Sequence, residues 1–166
     1  MDLLLINFEG FNFGNQFYPK EFAYASLHNC FSGFFFIDLT QDLWLSLPSQ
    51  AQKVFHWKTA NIHKLGWSSS PSGSVKIDYI AQFVGFYSQF FTIVALDQVK
   101  AKYLSNLSSV EVKFVGDLFE SPQLSYDDTP TCGYVHHRNH RPRCAYSTVL
   151  ATVRQISSKA STVQYE

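Results

Sequence analysis

Apolar and polar residues follow two different periods along the chain, and the period predicts which segments are strands and which are helices. Leu3–Phe13 begins with an almost unbroken apolar run, which is typical of a central strand covered on both faces. Two further strands follow after short turn signals, at Glu21–Asn29 and Phe34–Leu39. Three consecutive strands joined by short links predict an antiparallel meander.

Helical spacing dominates the second half of the chain, interrupted by two short buried segments. The predicted elements are, in chain order, helices near Ser49–Trp57 and at Val75–Tyr87, a strand at Phe90–Ala95, a helix at Asp97–Leu107 capped by Asp97, a strand at Val110–Val115 and a helix at Ala145–Ile156. A meander followed by βα units predicts an α/β fold, with a mixed sheet and helices on both faces. We expect one domain at 1–156 and a C-terminal tail at 157–166.

Composition supports a folded core and limits the partners. Hydrophobic residues make up 46% of the 166 residues, and 16 are Phe, so a disordered chain is excluded. The 13 basic and 13 acidic residues cancel, so no global field points to nucleic acid. Asn7 and Glu9 end the first apolar run too early for an export signal or a membrane helix, and the three cysteines are an odd number. We therefore expect an intracellular protein, cytoplasmic or nuclear, with no membrane partner and, lacking nucleotide-binding glycine motifs, no small-molecule cofactor.

The segment from Cys132 to Cys144 carries the clearest candidate chemistry. Its spacing Cys132-x3-His136-x7-Cys144 predicts a structural zinc ion, because zinc takes about four nitrogen, sulfur or oxygen ligands. The alternates for the histidine ligand are His137 and His140. Glu9 is the candidate fourth ligand, since a buried carboxylate in an apolar strand is costly unless paired or metal-bound. The competing interpretation is a surface loop with incidental histidines.

The first strand, with Asn7 and Glu9, and the segment that ends at Cys144 resemble two motifs of the DnaQ-type (DEDD) exonucleases, whose fold is RNase H-like. That family opens its first strand with Asp-x-Glu, where this chain has Asn7-Phe-Glu9, and begins its last helix at an Asp, where this chain has Cys144-Ala145. The paired replacements are similar to those of the Maelstrom domain of the germline small-RNA (piRNA) pathway, in which a Glu-Cys-His-Cys set holds zinc and the loop reads Cys-x2-His-x7-Cys-Ala. The resemblance implies Glu9, Cys132, His136 and Cys144 as ligands, although the first gap is one residue longer here.

The resemblance also carries functional expectations. It implies single-stranded RNA binding in a gene-silencing context and a weak, metal-independent endoribonuclease activity, for which no residue match identifies the catalytic groups. Similar short domains look familiar from arthropod mobile-element and virus-like reading frames, which makes a viral or transposon origin plausible. The candidate RNA contacts are Lys100, Lys102, Arg138, Arg141 and Arg143 for phosphate and Tyr134 for base stacking.

Three functional hypotheses follow from the sequence. A conventional 3′–5′ exonuclease is the least favoured, because Asn7 and Cys144 replace two of its four acids and Mg²⁺ does not favour thiolates. The first hypothesis is an RNA-binding protein with possible ribonuclease activity. The second is a catalytically inactive pseudo-nuclease that binds a protein partner, such as a viral or transposon factor acting on small-RNA silencing.

Overall fold

A computed structural model describes residues 2–28, 31–63, 65–68, 71–120, 124–126, 129–132 and 144–162. The strands are β1 (Asp2–Phe13), β2 (Gln16–Ser26), β3 (Ser32–Asp38), β4 (Val75–Lys76), β5 (Phe91–Ala95) and β6 (Lys113–Phe114). The helices are α1 (Gln41–Ser46), α2 (Ser49–Lys58), α3 (Asp78–Tyr87), α4 (Gln98–Ser108), α5 (Val115–Leu118) and α6 (Ala145–Thr162). A π-helical segment, Thr59–His63, extends α2.

The strands form one mixed sheet of six, in the order β4-β3-β2-β1-β5-β6. Strands β1, β2 and β3 pair antiparallel, as the meander requires. Strand β5 is parallel to β1, and β6 is parallel to β5. The predicted meander and the α/β class with a mixed sheet are therefore confirmed, and β1 lies in the interior of the sheet.

Each face of the sheet is covered by different helices. Leu4 and Phe8 of β1 point into a large aromatic core shared with α2, α3 and α4. Leu5, on the opposite face, packs with Val149 and Ile156 of α6. Burial on both faces explains the unbroken apolar start of β1, because neither face can tolerate alternating polar residues.

Several elements differ from the sequence-based prediction. Strand β2 begins at Gln16 rather than Glu21, β6 spans only Lys113–Phe114, and α5 was not predicted. Val75–Lys76 forms a short strand parallel to the end of β3, so the helix predicted from 75 begins at Asp78. Helix α1 was not expected; Thr40 caps it by accepting a hydrogen bond from the Leu43 N–H. The last helix runs to Thr162, so much of the expected tail is helical.

A β-bulge in the β1–β2 hairpin decides which residues face α6. Counting back from the turn, an unbroken register would pair Glu9 with Lys20, but a shift at Glu9/Gly10 pairs Glu9 with Glu21 instead. Residues directly opposite each other in an antiparallel pair project to the same face of the sheet. Glu9 and Glu21 therefore lie side by side on the α6 face.

Lys20, the extra residue of the bulge, points to the other face. Its ammonium is buried and donates a hydrogen bond to the Trp67 carbonyl oxygen at 2.8 Å. Burial lowers the pKa of Lys20 to about 8, and the Asp38 carboxylate opposes that shift. The bulge thus moves a lysine away from the α6 face and puts a carboxylate in its place.

Gly10 is required at this bulge. A Cβ at Gly10 would lie 2.2 Å from the Tyr18 carbonyl oxygen and 2.9 Å from the Lys20 backbone nitrogen, so backbone would have to move. We expect Gly10→Ala to lower the free energy of unfolding by about 1–3 kcal/mol, the usual cost of overpacking. Urea unfolding measures this. The matched control is Gly85→Ala in α3, where a Cβ meets nothing within 4 Å and helix propensity should add up to about 1 kcal/mol. Equal stabilities of the two variants would contradict the prediction.

Candidate metal centre and the adjacent cleft

Three side chains that can ligate a metal meet on the α6 face of the sheet. The carboxylate of Glu21 and the thiols of Cys132 and Cys144 lie within 4.8 Å of one another. Glu21 and Cys144 are buried and Cys132 is half-buried. Within the part of the chain that the structure describes, no other three His, Cys, Asp or Glu side chains form such a group.

Cys144 is positioned by the first turn of α6. Its Sγ accepts a hydrogen bond from the Ser147 N–H at 3.3 Å, and its carbonyl accepts one from the Thr148 N–H at 3.0 Å. This is the arrangement of an N-cap residue, with sulfur in place of the usual oxygen. The positive end of the helix dipole therefore faces the thiol and favours its anionic form.

The electrostatics of the cluster also favour a thiolate. The Cys132 thiol hydrogen-bonds to Cys144 and, together with Ser147, lowers the pKa of Cys144 to about 6. Burial and the Glu21 carboxylate act in the opposite direction but are outweighed. A deprotonated thiol is the form that binds metal, so the lowered pKa of Cys144 favours metal binding at this position.

Glu21 was missed by the sequence analysis. It occurs on β2 in phase with Ala23 and Ala25, which pack against α6, so an acid lies on an otherwise apolar face. The alternation of Glu21 with Ala23 and Ala25 could have been recognised in the sequence. The position of Glu21 beside Glu9 could not, because only the bulge brings the two carboxylates onto one face.

The predicted ligands have different outcomes. The structure brings Cys132 and Cys144 together, as their spacing predicted. Glu9 is not in the group, since its carboxylate contacts Lys100 instead. The three histidines, His136, His137 and His140, lie outside the described residues, and their part in the site stays a prediction.

A cleft of about 290 Å³ opens beside the cluster, between the sheet, α4 and α6. The ammonium of Lys100 occupies its polar end and donates hydrogen bonds to Asn7 Oδ1 at 2.7 Å and to Glu9 Oε1 at 3.3 Å. Asp97 Oδ2 lies 3.5 Å from the same nitrogen. One internal cation thus gathers three side-chain oxygens.

The charge of Lys100 offsets the cost of burying Glu9. Burial raises the pKa of the Glu9 carboxyl, with smaller contributions from the Glu21 and Asp97 carboxylates, whereas the Lys100 ammonium lowers it. Asp97 also accepts the Lys100 N–H at 2.8 Å, which confirms its predicted role as the N-cap of α4.

The predicted phosphate contacts are only partly described. Lys102 is exposed on α4, whereas the Lys100 side chain is 14% exposed and its ammonium bonds to side chains within the cleft. Tyr134 and the three arginines, Arg138, Arg141 and Arg143, lie outside the described residues.

Comparison of the chain with protein-family models, with curated protein sequences and with solved structures finds no match. No helix in the described ranges combines the length and apolar character needed to cross a membrane. The structure shows an α/β protein with a Glu–Cys–Cys cluster. Beside this cluster lies a cleft in which Lys100 contacts two carboxylates.

Replacing Lys100 tests its electrostatic role. We expect Lys100→Met to raise the pKa of Glu9 further, because both the charge attraction and the hydrogen bond that lower it disappear. A ¹³C-detected NMR titration of the Glu9 carboxyl measures the shift. Lys102→Met, an exposed lysine on the same helix, is the matched control and should leave that pKa unchanged. An identical Glu9 titration in both variants would show that Lys100 does not act on the carboxyl.

Proposed function

We propose that this protein is a zinc-stabilised, single-stranded-RNA-binding domain of RNase H-like architecture, in which the acidic nuclease site has been replaced. The observation that carries the proposal is the meeting of Cys132 and Cys144 with Glu21 at the start of the last helix. The resemblance to DEDD exonucleases assigns a catalytic Asp to the position of Cys144. A thiol there favours a soft metal with a structural role.

The strand order supports the architectural part of the proposal. Strands β3-β2-β1-β5-β6 form an antiparallel meander followed by two strands parallel to the central one. That is the arrangement expected of an RNase H-like fold, with β4 as an addition at one edge. The last helix covers one face of the sheet, next to the position of the family's first motif, here Asn7 and Glu9.

The donor set fits zinc. Ligand atoms of a tetrahedral zinc site lie about 3.3–3.8 Å apart, since each is about 2.0–2.3 Å from the ion. Three donors within 4.8 Å of one another reach that spacing with small side-chain movements. We assign the fourth donor to a histidine between the two cysteines, His136, His137 or His140, because Glu9 is paired with Lys100. Zinc held by Glu21 and Cys144 would link β2 to α6.

The neighbouring cleft argues against two-metal nuclease chemistry. Two-metal cleavage needs several carboxylates that hold two Mg²⁺ ions about 3.5–4 Å apart. Here Asn7 is neutral, and the Lys100 ammonium lies between Glu9 and Asp97 and offsets one of their two negative charges. Because the Lys100 ammonium occupies the cleft, less negative charge remains there to attract a metal ion.

Binding of RNA is supported by the charge of the sequence between the two cysteines. The 11 residues 133–143 include Arg138, Arg141 and Arg143 and no acid. The Cys132 and Cys144 thiols on either side of this sequence lie close together. Arginines are suited to phosphate contacts, and single strands leave their bases open for stacking.

A protein-interaction module without RNA binding is the second candidate. It is favoured by two large exposed aromatic side chains, Phe86 and Phe90, which are 55% and 56% exposed with ring centroids 5.5 Å apart. Neighbouring exposed aromatics of this kind are typical of surfaces that bind proteins.

Metal analysis of purified protein tests the zinc site. We expect one zinc per chain in the wild type, and Cys144→Ser should lower both the zinc content and the melting temperature. The melting temperature should fall by roughly 10 °C. Loss of the metal costs several kcal/mol of folding free energy, and each kcal/mol corresponds to about 2–4 °C in a domain of this size. Glu21→Gln should weaken zinc binding, and Glu9→Gln is the matched control that should retain it. Zinc loss on Glu9→Gln alone would restore the assignment made from the sequence, and a metal-free wild type of full stability would rule the site out.

Fluorescence anisotropy with a labelled single-stranded oligouridine tests RNA binding. We expect the change of Arg138, Arg141 and Arg143 to Ala to weaken binding at least tenfold and to reduce the salt slope by about 2, at about 0.7 per phosphate contact. The control changes three other basic residues, Lys76, Lys113 and Lys159, to Ala.

The same assay separates the other hypotheses. A wild type without RNA affinity at moderate salt would favour the interaction module. Degradation of the oligonucleotide that needs Mg²⁺ and survives Glu9→Gln would mean that an exonuclease site exists elsewhere.

A further inference from the structure

A second cleft, of about 300 Å³, lies on the opposite face of the sheet, between α1, α2 and residues 65–68. Its floor consists of Phe55 and Trp67, whose rings stack at 5.7 Å with an angle of 9°. Both side chains are almost fully buried, at 1% and 6% exposed. The two rings pack on each other and support the base of the cleft.

Two further rings form a wall that solvent can reach. Trp44 is half-buried, lies 5.2 Å from Trp67 and meets the exposed His56 ring edge-on at 5.0 Å. The Trp67 indole N–H is bonded to the Thr40 carbonyl oxygen, so it is not a donor for a ligand. A flat ligand entering here would contact the accessible rings of Trp44 and His56.

The mouth of the cleft is polar but carries no formal charge. Ser68 and Gln41 lie there, 3.5 Å apart between Oγ and Oε1, and the described lining includes no Asp, Glu, Lys or Arg. Amide and hydroxyl groups both donate and accept hydrogen bonds. The cleft thus suits a flat, neutral ring with a hydrogen-bonding edge rather than an aliphatic chain or a charged group.

The sequence that contributes most of this cleft is rich in lysine. Segment 41–68 contains Lys53, Lys58 and Lys64 against one acid, Asp42. Lys53 is exposed on α2, one turn before Trp57. A flat neutral ring attached to an anionic backbone is the chemical description of a nucleotide within a strand.

We propose that this cleft receives one unstacked nucleobase of single-stranded RNA, with the adjacent phosphates left outside the uncharged lining. The proposal rests on the RNA-binding function proposed above and identifies a contact site for it that is separate from the arginines between the two cysteines. Base stacking on aromatic side chains tolerates any sequence, so the cleft would add affinity more than specificity.

Tryptophan fluorescence and oligouridine affinity, measured together, test the proposal. We expect oligouridine and uridine monophosphate to quench the emission, and Trp44→Leu to weaken oligouridine binding about 5- to 150-fold, the range of one lost base stack. Trp44→Phe should keep most of the affinity, because a ring remains. Trp57→Leu is the matched control, since Trp57 is 59% exposed on α2 and does not line the cleft. Gln41→Ala, at the exposed mouth, provides a variant that cannot disturb the core.

The outcomes distinguish this proposal from the function it rests on. If oligouridine binds but neither Trp44→Leu nor Gln41→Ala weakens it and no quenching occurs, the cleft proposal is overturned while RNA binding stands. If oligouridine does not bind, the RNA-binding function itself fails and this proposal fails with it. Quenching by oligouridine that is lost in Trp44→Leu, and kept in Trp57→Leu, supports the base site.

Discussion

The β-bulge at Glu9/Gly10 is the constraint on which the candidate metal centre depends. It inserts Lys20 into β2 and so rotates the following residues, which brings Glu21 rather than Lys20 to the α6 face. Without the bulge, an ammonium would face the two thiols and Glu21 would point into the aromatic core. Gly10 permits the close backbone approach, because any side chain there would meet the backbone of Tyr18. The absence of a side chain at Gly10 thus permits the bulge that places Glu21 on the α6 face.

The two carboxylates that the bulge puts side by side have different partners. Glu9 lies in the cleft with Lys100, whose ammonium offsets the cost of burial. Glu21 is next to Cys144, where its negative charge raises the pKa of the thiol, a repulsion that a divalent cation would turn into attraction. One carboxylate is therefore neutralised by the protein itself, and the other belongs to the site that attracts a metal.

The two faces of the sheet differ in the side chains that they bury. The face covered by α2, α3 and α4 is rich in aromatic rings, and its outer edge carries the cleft floored by Phe55 and Trp67. The face covered by α6 has a smaller apolar core, built around Leu5 and Val149, next to polar groups. The sheet separates the aromatic cleft from the Glu–Cys–Cys cluster. The two sites therefore use different residues within one small domain.

Local signals in the sequence were enough for the meander and the longer helices. The apolar run of β1, the cap at Asp97 and the helix from Ala145 were all predicted, since each depends on neighbouring residues. The Cys132–Cys144 pair was predicted for the same reason. Short strands such as β4 were not, because pairing with β3 rather than propensity defines them. The sequence by itself determined the mixed α/β sheet and the two thiols. Only the tertiary structure decided that Glu21 joins them and that Lys100 pairs with Glu9, because the first follows from a change of strand register and the second from contact between α4 and β1, neither of which a local pattern encodes.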